Sequence, residues 1–209
     1  MNPSAPASVA ALAPLAPLLP ALRFDPELLL AAQGIKVAFF DVDGVLTDGT
    51  LYISEAGETL KAFHALDGHG LKLLAQGGIS PIIITGRDSP AVRRRLKDLG
   101  VTQAVFGAHD KLAAAEPIRQ ALGLHWDQIA VMGDDWPDLP LMVRAGLAVA
   151  PANAHAEVKA IAHHVSALKG GQGAARECCD LLLWATGKYD GLLHGHLQTL
   201  DTTADGAKP

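Results

Sequence analysis

The stretch Val37-Ala38-Phe39-Phe40-Asp41-Val42-Asp43-Gly44-Val45-Leu46-Thr47-Asp48 decides how the chain folds. An apolar run ends in two aspartates one residue apart, and a glycine follows at once. A short apolar run bounded by a turn signal reads as a buried, parallel strand. In open α/β sheets, ligands gather at the carboxyl ends of such strands. Asp41 closes the strand in this reading, and Asp43 sits in the loop beyond it. Two carboxylates crowded there repel each other, and removal from water adds to the penalty. A cation relieves both. A pair of solvated loop aspartates would explain the glycine but not the apolar strand that runs into them.

Outward from this stretch the chain alternates between strand and helix patterns. On the N-terminal side, residues 25–33 read as a short helix capped by Asp25, with Pro26 at its first position and Gly34 beyond its end. On the C-terminal side, Thr50 to Ile53 and Thr59 to Phe63 flank a Gly57-containing turn and predict a β-hairpin. A helical pattern begins at Asp67 and ends near Gly77-Gly78. A second apolar strand, Ile79 to Ile84, ends in Thr85-Gly86-Arg87. Ser89 caps a helix over 90–99, and a strand over 101–106 leads to His109-Asp110-Lys111. A helix over 112–122 and a strand over 128–132 follow, the latter ending in Gly133-Asp134-Asp135-Trp136-Pro137-Asp138. A short helix (139–145), a strand (147–150), a helix (154–161), the turn Gly170-Gly171-Gln172-Gly173 and a last helix (174–184) complete the pattern. The fold class is α/β, a doubly wound parallel, Rossmann-like sheet carrying an inserted hairpin.

A length of 209 residues suits one such domain, and 49% hydrophobic residues can fill its core. The expected division is an Ala/Pro-rich flexible extension over 1–24, a single domain over 25–190 and a flexible tail over 191–209. The formal charge of −5 without a long basic run argues against nucleic acid as a partner. Residues 1–20 lack a positive n-region and their apolar run is broken by prolines, so they do not read as a signal peptide. No stretch reaches membrane-span length. The expectation is a cytoplasmic protein without a membrane segment. Cys178 and Cys179 are adjacent, awkward for a disulfide and too few for a zinc site, so buried thiols are expected. The pairs His163-His164 and His194/His196 read as solvated or capping groups.

Four strand ends carry Asp41/Asp43, Thr85, Lys111 and Asp134/Asp135/Asp138, which converge if the strands lie side by side. A carboxylate cluster, a hydroxyl and a lysine are the parts for phosphoryl transfer through an aspartyl-phosphate. These four segments, in this order, resemble the four motifs of the haloacid dehalogenase-like phosphatases. With residues 41–49, 58–63, 84–87, Gly133-Asp134-Asp135, Gly173 and Arg176-Glu177, the chain is similar more closely to the 3-deoxy-D-manno-octulosonate 8-phosphate phosphatase family, over roughly 25–187.

The resemblance implies Asp41 as nucleophile and Asp43 as the acid that protonates the leaving oxygen and then deprotonates water. It implies Thr85 on a phosphoryl oxygen and Lys111 on both phosphate and Asp41. Mg²⁺ would be held by Asp41, the backbone carbonyl of Asp43, and Asp134. Substrate contacts implied in the same way are Asp43, His64, Ala65, Leu66, Asp67, Gly68, Lys72, Gly86, Arg87, Arg95 and Lys111. Leu66, Lys72 and Gln172 stand where a member of the family carries arginine, which touches the choice of sugar more than the chemistry. Haloacid dehalogenases themselves need neither the second aspartate nor magnesium, so phosphate chemistry is favoured.

The spacing leaves no room for a cap domain, which needs about 50 residues or more. A capless site is open to water. In the family resembled, the hairpin builds a homotetramer and a neighbouring subunit closes the site, so the same assembly is expected here. Two other readings stay open: a phosphatase for a nine-carbon sialic-acid-like sugar phosphate, and a non-catalytic tetramerisation domain.

Overall fold

A computed structural model describes residues 24–198; the extension before them and the last eleven residues of the chain lie outside it. Helix α1 (Pro26–Ala32) starts as its sequence predicts, with the Asp25 carboxylate accepting from the Glu27 N–H at 2.8 Å. Strand β1 (Val37–Phe40) leads to the hairpin of β2 (Tyr52–Ser54) and β3 (Gly57–Leu60), then to helix α2 (Ala65–Gln76). Next come β4 (Ser80–Ile84), α3 (Pro90–Leu99), β5 (Ala104–Val105), α4 (Lys111–Ala121), β6 (Ile129–Met132), α5 (Leu139–Met142) and β7 (Leu147–Ala150). The chain continues through α6 (Ala156–Ile161), β8 (His164–Val165), α7 (Ala174–Ala185) and α8 (Tyr189–Gln198). Single 3₁₀ turns precede β6 and α5.

The main sheet is six-stranded and parallel in the order β5-β4-β1-β6-β7-β8, and the hairpin forms a separate antiparallel pair. Both faces of the main sheet are covered, which is why its strands are continuous apolar runs rather than alternating ones. Along β1, Ala38 and Phe40 join the core shared with α2 and α7, while Val37 and Phe39 join the core on the opposite face with Leu141, Met142 and Val158. Strand β1 lies at the centre, and the order runs outward through β4 on one side and β6 on the other. The crevice of a doubly wound sheet opens at this reversal.

The structure departs from the sequence expectation at three places. The strand expected over 101–106 is only two residues long. Two-residue β8 was not expected; it is paired to β7 through Val149 and Ala150. Residues 191–198, expected within a flexible tail, belong to α8, whose Tyr189 stacks on Trp184 with ring centroids 5.4 Å apart. Cys178 and Cys179 are free and buried; burial pushes the Cys178 thiol up to about 12 and Cys179 well above its ordinary value. Among the described residues, no helix is long and apolar enough to cross a membrane.

Candidate active site

The site forms where β1 and β6 end. Asp41 follows β1 directly, and its N–H donates to the Met132 carbonyl at 3.1 Å, so the sheet ladder itself aims it. The chain then turns back tightly: Val42 O accepts from the N–H groups of Val45, Leu46 and Thr47. Gly44 allows this turn with φ +90°, and a Cβ there would stand 2.0 Å from Asp134 Oδ2. Only glycine lets the loop pass so close to the second carboxylate. The turn at 170–173 braces the loop from outside, through Gly171 N–H to Val45 O at 3.0 Å.

A lysine sits among three carboxylates. Lys111, the first residue of α4, places Nζ 3.0 Å from Asp41 Oδ2 and 2.6 Å from Asp138 Oδ1. Asp138 Oδ2 accepts from the N–H groups of Asp134 (3.1 Å) and Asp135 (3.4 Å), closing the turn after β6. Asp138 is therefore fully engaged. By contrast, Asp41 Oδ1 and Asp134 Oδ1 are buried with no hydrogen-bond partner. Ligand oxygens of Asp41, Asp134 and Asp138 lie within 4.8 Å of one another. Burial and the neighbouring Asp138 raise the Asp41 carboxyl to about 7 against the pull of Lys111. Burial and then Asp41 and Asp138 raise Asp134 to about 8. Lys111 moves the other way from what its own burial favours, because Asp41 and Asp138 hold its proton. The two orphaned oxygens, both hard donors and mutually repelling, fit a hard divalent cation such as Mg²⁺.

The other residues expected at the site divide into two groups. Asp43, Thr85, Gly86 and Arg87 line the same crevice as Asp41, Lys111 and Asp134, together with Leu51 and His109. Thr85 is buried at the end of β4, and its Oγ1 accepts from the Arg87 N–H at 3.4 Å. Arg87 Nε lies 3.7 Å from Asp43 Oδ2. His64, Asp67, Gly68 and Arg95 instead line a small separate hollow with Phe63 and Leu71. There Arg95 Nη2 donates to the His64 carbonyl at 3.4 Å, beneath Gly68, where a Cβ would meet the guanidinium at 2.2 Å. Leu66 and Lys72 are exposed on α2, and Ala65 opens that helix.

Asp67 has a task that the sequence did not show. Its carboxylate is buried and accepts from the N–H groups of Gly173 (3.2 Å) and Arg176 (2.8 Å), so it caps the start of α7. Ser89 is a correction, since its side chain makes no capping hydrogen bond in α3. Lys61 was not singled out from the sequence, yet its ammonium contacts Asp43. Only its place in the segment 58–63 hinted at a role.

An aspartate that ends a central parallel strand, a second aspartate two residues on, a buried hydroxyl after the next strand and a lysine that opens a helix beside them define a haloacid dehalogenase-like phosphatase. Residues 106–177 match the family described as haloacid dehalogenase-like hydrolase. The chain is 41% identical to 3-deoxy-D-manno-octulosonate 8-phosphate phosphatase of Yersinia pestis over 79% of its own length and 88% of that protein's. It superposes with a TM-score of 0.81 on a probable YrbI family phosphatase of Pseudomonas syringae, at 43% identity, covering 83% and 98% of the two chains. The Moraxella catarrhalis 3-deoxy-D-manno-octulosonate 8-phosphate phosphatase, solved with magnesium, phosphate and KDO, matches with a TM-score of 0.79 at 38% identity, over 81% and 98%. The chain belongs to the 3-deoxy-D-manno-octulosonate 8-phosphate phosphatase family.

Proposed function

We propose that this enzyme hydrolyses 3-deoxy-D-manno-octulosonate 8-phosphate to the free sugar acid and phosphate, through an aspartyl-phosphate on Asp41, in lipopolysaccharide precursor synthesis. The observation that carries the reading is the pair of orphaned, buried oxygens on Asp41 and Asp134 beside the Lys111 ammonium. Asp41 and Asp134, with the Asp43 carbonyl, would hold Mg²⁺. When bound, the ion offsets negative charge between phosphate and carboxylates and aligns the phosphoryl group.

The chain's own residues do the rest. Asp41 attacks phosphorus from the floor of the crevice, aimed by its ladder hydrogen bond and restrained by Lys111. Asp43 gives a proton to the sugar oxygen that leaves, and then takes one from the water that opens the acyl phosphate. Such acid–base help contributes about 10²–10⁴-fold. Thr85 and Lys111 hold phosphoryl oxygens. Arg87, half-exposed at the rim, offers a planar fork suited to a carboxylate or phosphate.

The same reading includes a cytoplasmic homotetramer. The hairpin exposes Leu51, Tyr52, Ile53 and Leu60, and Leu66 is exposed at the start of α2. An apolar patch of this kind supports contact with another copy. His64, Leu66, Lys72 and Arg95 lie outside the lining of their own crevice, which supports their serving a neighbour's. A panel of eight- and nine-carbon sugar-acid phosphates, assayed with and without Mg²⁺, tests substrate and metal together. Chelator-sensitive release, fastest with the eight-carbon acid, is the expected result; equal rates across the panel would remove the narrow substrate. Light scattering that reports a monomer would remove the shared site.

A further inference from the structure

A second group of charges lies behind the crevice. Beyond the end of β3, Lys61 turns inward and its side chain is 1% exposed. Its Nζ donates to Asp43 Oδ1 and lies 3.0 Å from Glu58 Oε2. The other oxygen of Asp43 faces Arg87. A buried ammonium is strongly unfavourable unless paired, and here the two carboxylates supply the pairing. Glu58 is itself oriented: burial acts to raise its carboxyl, but Ser89 and Lys61 outweigh that and keep it below the ordinary value. Its Oε2 is the oxygen that faces Lys61, while its Oε1 is buried without a partner. Lys61 is not among the residues lining the crevice, so substrate in the crevice meets Asp43 and Arg87 but not Lys61.

We propose that Lys61, held by Glu58, is the positioning residue that sets the side chain of Asp43 for proton transfer, and that it ties the hairpin to the reacting centre. Arg87 is free to turn to the substrate's anionic groups, and Lys61 then remains as the fixed partner of Asp43. The carboxylate keeps one orientation whether or not the crevice is filled. The inference rests on the reading of Asp43 as acid and base, and the experiment separates the two.

Lys61→Met, Lys61→Arg, Glu58→Gln and Asp43→Asn are compared with the native chain, each checked for folding by circular dichroism. Two reactions are followed: steady-state turnover of 3-deoxy-D-manno-octulosonate 8-phosphate, and single-turnover release of p-nitrophenolate from p-nitrophenyl phosphate. The nitrophenolate leaves without a proton, so its release does not need an aligned Asp43. For Lys61→Met, kcat on the sugar phosphate should fall by about 10- to 100-fold with KM within about threefold, the scale of a misplaced catalytic group. Nitrophenolate release should change by less than about threefold, since only the acid's share of about 10²–10⁴ is at stake. Lys61→Arg should recover most of the loss, and Glu58→Gln should show the same split in smaller measure. Equal losses on both reactions, or no loss on either, overturn the positioning role. If Lys61→Met does not fold, Glu58→Gln decides by the same split. Asp43→Asn with undiminished sugar-phosphate turnover overturns the acid–base reading itself.

Discussion

Two of the buried charge groups among the described residues differ in how completely they are satisfied. Where α2 meets α7, Asp67 accepts two backbone N–H groups, and the Asp180 oxygens accept from Arg176 Nε at 2.8 and 2.9 Å. Each of those four carboxylate oxygens has a donor. In the crevice, three carboxylates face one lysine, and an oxygen of Asp41 and one of Asp134 have no donor. Buried polar groups are ordinarily hydrogen-bonded, so the first group is a fastening and the second has the donor set of a metal site. Charge and burial alone do not separate them. Burial raises Asp67 and Asp180 as well.

The contrast can be broken most sharply at Asp41. Asp41→Asn should lower turnover of the sugar phosphate by at least about 10⁴-fold, the scale seen when a nucleophile is removed. The same change should raise the melting stability of the metal-free protein by about 1–3 kcal/mol at pH 8, because it removes a carboxylate whose ionisation the fold opposes. Loss of both activity and stability would make Asp41 a fastening like Asp67. The reverse pattern is expected of Asp67→Ala. Two N–H groups at the start of α7 lose their acceptor, and urea unfolding should report a loss of about 2–4 kcal/mol, while kcat of the folded fraction stays within about twofold.

Protons sharpen the comparison further. Asp41 near 7 and Asp134 near 8 both lie above the unfolded carboxylate value. Their protonated forms therefore stabilise the metal-free fold fully below that unfolded value, and this stability is lost as pH rises to about 8. Metal binding must displace the same protons, so Mg²⁺ affinity should rise with pH, about tenfold per unit for each proton released. Thermal shift with and without Mg²⁺ across this range checks it; an increment independent of pH would contradict the orphaned-oxygen reading. The smallest effect is expected from Asp180→Asn, within about 1 kcal/mol, since its i,i+4 pair with the partly exposed Arg176 is a modest one.

Much of the site is legible in the chain because each of its main residues ends a strand or opens a helix. Asp41, Thr85, Lys111 and Asp134 all adjoin an apolar run or a helix start, where periodicity and turn chemistry mark them. Asp138 was legible as a member of the strand-end cluster but not as the partner of Lys111, since that grip spans 27 positions. Ser89 and Asp67 carried helix-start signals or family resemblance, and neither shows which neighbour their oxygens meet. Short β5 and β8 were missed or overdrawn because two-residue strands have no periodicity of their own.

By itself, then, the sequence determined the parallel α/β class, the hairpin and the strand-end motifs, since these follow from local patterns of apolar and turn residues. Only the tertiary structure decided the strand order, the pairing of Lys61 with Asp43 across 18 positions and that of Asp67 with Arg176 across 109. Side chains so distant along the chain meet through packing of whole elements, and a local pattern carries no record of that. The same packing left Asp41 and Asp134 each with an unpartnered oxygen, because the ends of β1 and β6 lie side by side and no donor reaches those two oxygens.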